Sequence, residues 1–395
     1  MLLSPFFLYI MRSKCYDILN TNQIETDACP CAKALQEGAA DSDMAKTARK
    51  LTAGRVILRI LCVLLVTVLL LCAFLYGVIF MLCRGPSETA RNLFVRSVRE
   101  TSAIGFLANL CLSDEEIAAI EASQLDIAPE TDVSLIEMAS PEDRVTDENG
   151  ADAWGYVDDD GDGIIVAPVS GETYSGYMLI VLDPMRVKLG FCPEDVGVRG
   201  YTVAEFGEKF GAVAAVNGGG FVDPNGFGDG SIPNNLVVKG GEIYCGNNGV
   251  GPDFAGIDDK GILHVGITTT DEIKEKNIQE GVGYGPVLVA NGQAMSDESL
   301  MSGLNPRTAI GQRSDGAILL MVVDGRRATS LGASFKDEAE QMLAFGAVNA
   351  TNLDGGSSSL MWMNGEYLNN KAAVIGVREI PTTFLVMPQE EGSNG

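Results

Sequence analysis

Four glycine-flanked segments carry most of the side chains in this chain with the means to do chemistry. Asn217-Gly218-Gly219-Gly220-Phe221 follows an apolar run, and its three glycines let the backbone turn sharply and approach a bound group closely. The spacing is not that of a dinucleotide-binding loop. Asn305-Pro306-Arg307-Thr308 sets a guanidinium just before a strand. Its planar fork suits bidentate contact with phosphate or carboxylate, or a strand-end salt bridge. Asp324-Gly325-Arg326 closes an apolar strand and reads either as a plain hairpin turn or as a carboxylate beside a guanidinium. Asn352-Leu353-Asp354-Gly355-Gly356-Ser357 delivers a carboxylate to a double-glycine turn. Asp354 is placed there to act as base, nucleophile or metal ligand, and the N–H groups of Gly355, Gly356 and Ser357 to hold an oxyanion. No serine in this segment has the glycine spacing of a nucleophile elbow.

What is scarce narrows the chemistry further. The single histidine, His264, lies in a strand-like run, so a zinc site built from several histidines is excluded and a Ser-His-Asp triad has only His264 to draw on. Of nine cysteines, Cys15, Cys29 and Cys31 precede the long apolar run, and Cys62, Cys72 and Cys83 lie in it. Only Cys111, Cys192 and Cys245 remain, too few and too scattered for a disulfide framework. Asp158-Asp159-Asp160-Gly161-Asp162-Gly163 resembles the opening of a calcium loop, with Asp158, Asp160 and Asp162 as candidate ligands for Ca2+. Position twelve is Val169 instead of Glu, which removes it from the EF-hand pattern and leaves a solvated acidic turn as the competing reading. No other cofactor is implied. Residues 1–99 hold 12 basic against 7 acidic side chains, within a chain of net charge −25. The body beyond is therefore strongly acidic, repels nucleic-acid phosphates, and suits a soluble domain outside a cell.

These loops need a scaffold, and the pattern predicts one. Residues 60–83 run for 24 positions without a charge, enough to cross a hydrocarbon core of roughly 30 Å as a helix. Lys46, Arg49, Lys50, Arg55 and Arg59 precede it, and four arginines with Glu88 follow, a balance that favours a cytoplasmic N-terminus. No small-residue cleavage site follows, so the run reads as a retained single-pass anchor with the C-terminal domain extracytoplasmic. Residues 1–59 form the cytoplasmic segment, of which 1–43 reads as a start-site extension ahead of Met44. Residues 84–153 read as a stalk or linker with a short helix opened by the capping box Ser113-Asp114-Glu115-Glu116. From Trp154 to about residue 390, short Val/Ile/Leu runs alternate with Gly/Asn/Asp turns. Strands are expected at 163–169, 177–182, 212–216, 235–238, 262–267, 286–290, 317–323, 347–353, 359–363 and 383–386. Helices are expected at 202–210 and from a Ser334 cap to a Gly346 stop. Many strands with few helices predict an α+β domain on a mixed or antiparallel sheet, preceded by one transmembrane helix.

Taken together the segments resemble the phosphodiester glycosidase family. The family pattern is an Asn-Gly-Gly-Phe-like turn, a Gly-Pro-x-Leu-x-x-x-Gly strand, Asn-Pro-Arg-Thr, Val-Asp-Gly-Arg, Asn-Leu-Asp-Gly-Gly-Ser-Ser and an Arg-containing closing strand. This chain supplies 217–221, 285–292, 305–311, 324–326, 352–358 and Arg378-Glu379, in that order. It departs in the third glycine of the first turn and in the order Arg378-Glu379-Ile380-Pro381. The resemblance implies a membrane-anchored hydrolase that releases a sugar from a sugar-1-phosphodiester in a cell-surface glycan or polymer. Asp354 and Asp324 are then the candidate catalytic carboxylates. Asn217, Gly218, Gly219, Asn305, Arg307, Thr308, Arg326, Asn352, Gly355, Gly356, Ser357 and Arg378 are the candidate phosphate and sugar contacts. Two other classes fit the same residues: a non-catalytic module that binds wall or exopolysaccharide, and a phosphodiesterase or phosphotransferase acting on a teichoic-type polymer. Each of these readings requires the separated loops to converge on one anion pocket.

Overall fold

The computed structural model describes residues 53–389 apart from short segments at 101–103, 124–126, 140–143, 225–227, 245–249, 251–252 and 373–375. The reading of residues 1–43 as a start-site extension falls outside the described residues. The chain divides into two units, Met1–Leu71 and Cys72–Gly395. The described part of the first is helix, the leading portion of Ala53–Arg84. Within that helix Val56–Arg84 is 29 residues long, apolar enough to cross a membrane, and none of its apolar stretch is covered by protein.

The second unit carries three sheets, and every pairing among the described strands is antiparallel. The seven-stranded sheet runs Ile164–Ser170, Ser175–Val181, Ile318–Val323, Arg307–Arg313, Ala347–Asn352, Val287–Ala290, Gln293–Ala294. A five-stranded sheet runs Glu366–Tyr367, Met361–Met363, Ala214–Asn217, Thr382–Val386, Val187–Phe191. The third sheet, also five-stranded, runs Glu242–Tyr244, Val237–Lys239, Ile278–Tyr284, Asp253–Asp258, Leu263–Ile267.

The alternation of side chains explains the packing. Ile318, Leu320 and Val322 point into a central core shared with Val216, Phe384, Val282 and Ala255 of the other two sheets. Leu319, Met321 and Val323 point the other way, against Phe335, Ala339 and Met342 of the helix Phe335–Ala344. The Ile318–Val323 strand is thus buried on both faces, which is why it reads as an unbroken apolar run. Burying each such side chain contributes about 1.5–3 kcal/mol. The outer face of the second sheet is covered by the helix Val203–Phe210, and that of the third by Thr270–Glu275.

The helix starts follow the expected chemistry. Ser113 with Glu116, Thr202 with Glu205 and Ser334 with Asp337 each form a reciprocal capping box. Gly346 ends the last helix at φ +88°, and a Cβ there would lie 2.1 Å from Trp154 Nε1. Trp154 in turn stacks under the buried guanidinium of Arg313, which pairs with Asp152 and Asp315. The segment before residue 154 is therefore held against the sheet by charge and by an aromatic ring.

Candidate active site

The ends of the central strands meet at a cavity of about 450 Å3. Its floor is a knot of hydrogen bonds between three of the glycine-flanked segments. Thr308 donates to Asn217 Oδ1 at 2.7 Å, and Asn217 Nδ2 donates to the Asp354 carbonyl at 2.5 Å. The Asp354 N–H donates to the Gly218 carbonyl, and the Leu353 N–H to that of Thr308. Asn352 Nδ2 reaches the Gly285 carbonyl at 2.7 Å. Asn217, Thr308 and Asn352 are fully buried or nearly so. They bolt the loops to one another.

Asp354 stands on this floor, open to the cavity it lines. Burial raises its pKa from 3.8 to about 6, against hydrogen bonds from Ser358 and Tyr284 that favour the carboxylate. The Tyr284 phenol is pushed well above its ordinary range by burial and then by the charge of Asp354. Asp354 and Tyr284 thus form a carboxylate–phenol pair facing the cavity.

One wall is cationic. Arg307 donates from Nε to the Ala333 carbonyl at 3.0 Å, lies over the Phe335 ring at 4.0 Å, and is almost wholly buried. Its Nη2 donates to the Gly303 carbonyl and to Glu100 Oε2, each at 2.8 Å. Asn305 Nδ2 donates to the same Glu100 oxygen at 2.9 Å. Glu338 lies behind, fully buried, with Oε2 4.0 Å from Arg307 Nε and neither oxygen hydrogen-bonded. Burial holds Glu338 well above the usual carboxylate range, against the pull of Arg307. Burial also raises Glu100, opposed by Arg307, Asn305 and Gly303. Arg326, exposed and at φ +57°, reaches Asn305 Oδ1 from Nη2 at 3.3 Å.

The other expected residues fall in distinct places. Asn305, Arg307, Asp354, Gly355 and Gly356 line the cavity. The N–H of Gly356 donates to the Pro306 carbonyl, that of Gly218 to Thr382, and that of Gly219 to Thr382 Oγ1. These three are committed within the fold. The N–H groups of Gly355 and Ser357 have no partner among the described residues. Arg378 donates to Asp223 Oδ1 at 2.8 Å and lies over the Phe221 ring, tying the first glycine turn to the closing segment. Asp324 is not among the residues lining the cavity. Its carboxylate accepts from the Asn370 N–H at 2.9 Å, Asn370 Nδ2 at 2.6 Å and Asn369 Nδ2 at 3.1 Å, so it staples two loops. The carboxylates of Asp158, Asp160 and Asp162 lie within 4.8 Å of one another. They accept from Gly161, Asp162, Gly163 and Ile164 N–H groups, as a tight acidic turn does unaided.

Several cavity residues had no motif to announce them. Asn234, Asn235, Asp253 and Tyr284 come from the third sheet and its entry. Arg96, Arg99, Glu100 and Glu121 come from the segment read as stalk. Ser87 caps the helix Glu88–Arg99, and Arg96 is buried, donating to the Glu298 carbonyl at 2.8 Å and to Ser123.

The family model described as phosphodiester glycosidase matches residues 210–387. N-acetylglucosamine-1-phosphodiester alpha-N-acetylglucosaminidase of Mus musculus is 27% identical over 222 residues, 51% of this chain and 42% of that protein. The SPbeta prophage-derived uncharacterized protein YomE of Bacillus subtilis (strain 168) is 39% identical over 87 residues, 22% of this chain and 14% of that protein. Among solved structures, the zebrafish N-acetylglucosamine-1-phosphodiester alpha-N-acetylglucosaminidase catalytic domain, auto-inhibited by pro-peptide, aligns with a TM-score of 0.49 at 22% identity. That alignment covers 57% of this chain and 82% of the zebrafish chain. The chain spans less than half the length of the curated relatives it matches.

Proposed function

We propose, from the premise that residues 210–387 carry a phosphodiester glycosidase domain, that this protein hydrolyses the bond between a sugar and phosphate in a sugar-1-phosphodiester. One observation carries the reading: Asp354 and Arg307, 47 positions apart in sequence, line one cavity with Tyr284 between the sheets. The phosphate diester binds at Arg307, where Glu100 now takes the Nη2 edge, and the Gly355 N–H is a further donor to a phosphate oxygen. Asp354, ionised, draws a proton from water as that water adds to the anomeric carbon. The carbon–oxygen bond to phosphate breaks and its electron pair leaves with the phosphomonoester. That leaving group is a weak base and needs little protonation, so a site with one positioned carboxylate and strong anion recognition suffices. Glu338 stays packed behind Arg307 whether or not Glu100 is displaced, its carboxyl held toward the neutral form by burial.

The apolar helix serves in this reading as a retained anchor, with the domain on the extracytoplasmic side. The substrate is then part of a surface glycan or polymer. The full-length chain in detergent, given an alkyl hexosamine-1-phosphodiester in 18O-labelled water, tests the chemistry. Label at the anomeric oxygen of released sugar supports the glycosidase. Label only in phosphate supports the phosphodiesterase reading instead, and absence of both products with retained binding supports a polymer-binding module.

A further inference from the structure

Another part of the cavity lining, from a different sheet than Arg307, is built differently. Asp253 opens the strand Asp253–Asp258 and stands opposite Tyr284 in the register with Ile278–Tyr284. It lines the cavity beside Asn234 and Asn235. Among the described residues its carboxylate has no hydrogen bond and no ion pair, and desolvation by itself raises its pKa to about 6. The chain makes room for it: a Cβ at Gly285, where φ is +113°, would lie 2.5 Å from Asp253 Cβ and 2.6 Å from Oδ2. Asp253 is half-buried at the cavity wall, and a partly desolvated carboxyl group without a protein partner costs stability. Such a group at a cavity wall points to a ligand that satisfies it.

The two walls come from different sheets and differ in character. Arg307 belongs to the seven-stranded sheet and supplies fixed positive charge. Asp253 belongs to the third sheet and, with two neighbouring amides, supplies acceptors and amide donors without a cation. Tyr284 and Asp354 join the walls, since the phenol is the register partner of Asp253 and bonds Asp354. A ligand spanning the cavity is therefore anionic at one end and rich in hydroxyl groups at the other.

Resting on the phosphodiester reading of this cavity, we propose that Asp253, with Asn234 and Asn235, is the sugar-recognition wall and selects neutral polyhydroxylated rings over acidic ones. The Asp253 carboxyl accepts from ring hydroxyls, and a carboxylate on the sugar would meet it as a like charge. Asp253 is a specificity residue, and Asp354 keeps the proton transfer.

The experiment compares wild type, Asp253→Asn and Asp253→Leu in the full-length chain. Equilibrium binding of a methyl hexosaminide and of inorganic phosphate is followed by NMR, with steady-state kinetics on a neutral and a uronic sugar-1-phosphodiester. Asp253→Leu is expected to weaken hexosaminide binding and raise KM for the neutral substrate by about tenfold or more, as expected for one lost hydrogen bond to a charged acceptor. Phosphate binding stays unchanged. Asp253→Asn, which keeps hydrogen-bonding capacity but not charge, is expected to hold most neutral-sugar affinity and to narrow the gap between neutral and uronic substrates. Unchanged hexosaminide binding in Asp253→Leu overturns the proposal, as does parallel loss of phosphate binding in both variants. If wild type binds the hexosaminide through Asp253 but releases no sugar from any phosphodiester, only the hydrolytic reading falls.

Discussion

Replacing Asp354 by Asn separates what this carboxylate does for the reaction from what it does to the fold. Burial raises its pKa from 3.8 to about 6. An acid whose pKa rises on folding binds its proton more tightly in the native state. Folding is therefore penalised in full above about pH 6, and the penalty fades as pH falls through the native pKa to the unfolded one. The change from 3.8 to about 6 corresponds to about 3 kcal/mol, as an upper bound. The amide of Asp354→Asn avoids that penalty while keeping an acceptor for Ser358 and Tyr284. The variant should thus be more stable than wild type by up to about 3 kcal/mol near pH 8, with the advantage vanishing near pH 3. Activity should move oppositely. An amide takes no proton from water, and turnover should fall by a factor on the order of 10² to 10⁴. Wild-type kcat/KM should rise with pH to a plateau above about 6. Denaturant titrations at several pH values and the release of free sugar from a sugar-1-phosphodiester provide the two measurements. A variant with near-wild-type turnover, or a stability difference that does not depend on pH, would refute the assignment.

Three further outcomes follow from the same geometry. Glu100→Gln removes the carboxylate held by Arg307 and Asn305, so inorganic phosphate and substrate should bind on the order of tenfold more tightly, read as a lower inhibition constant and KM. Tyr284→Phe removes a hydrogen bond that favours ionised Asp354, which raises the Asp354 pKa further and moves the acid limb of the pH–rate profile to higher pH. Gly346→Ala places a Cβ at φ +88° and 2.1 Å from Trp154 Nε1, and should lower unfolding free energy by about 1–3 kcal/mol in urea titrations.

Much of this protein is legible in local sequence because the physics involved is local. The charge-free run of residues 60–83 needs no partner to be recognised as a helix long enough to span a membrane. Ser113, Thr202 and Ser334 sit at helix starts because each forms hydrogen bonds within its own first turn. Ile318–Val323 declares itself as a strand through its unbroken apolar run, and the carboxylates and arginine that it and Ala347–Asn352 deliver can be named from the turns that follow. The strands Asp253–Asp258 and Ile278–Tyr284 do not announce themselves. Glycines 256, 281 and 283 weaken their strand pattern, and a Cβ at each would lie 2.4 Å from Ile278, 2.7 Å from the Phe254 ring and 2.5 Å from Asn235 Cβ respectively.

The sequence by itself determined an apolar helix, an α+β body on a mixed or antiparallel sheet and a set of turns rich in Asn, Asp, Arg and Gly. Tertiary structure alone decided which of those turns share a cavity. It committed the Asp324 carboxylate to Asn369 and Asn370, set Asp354 against Tyr284, and brought Glu100 across 207 positions to Arg307. The reason is that a carboxylate's role depends on its distance from water and from other charges. Those distances are fixed by packing between sheets, which no local stretch of chain encodes.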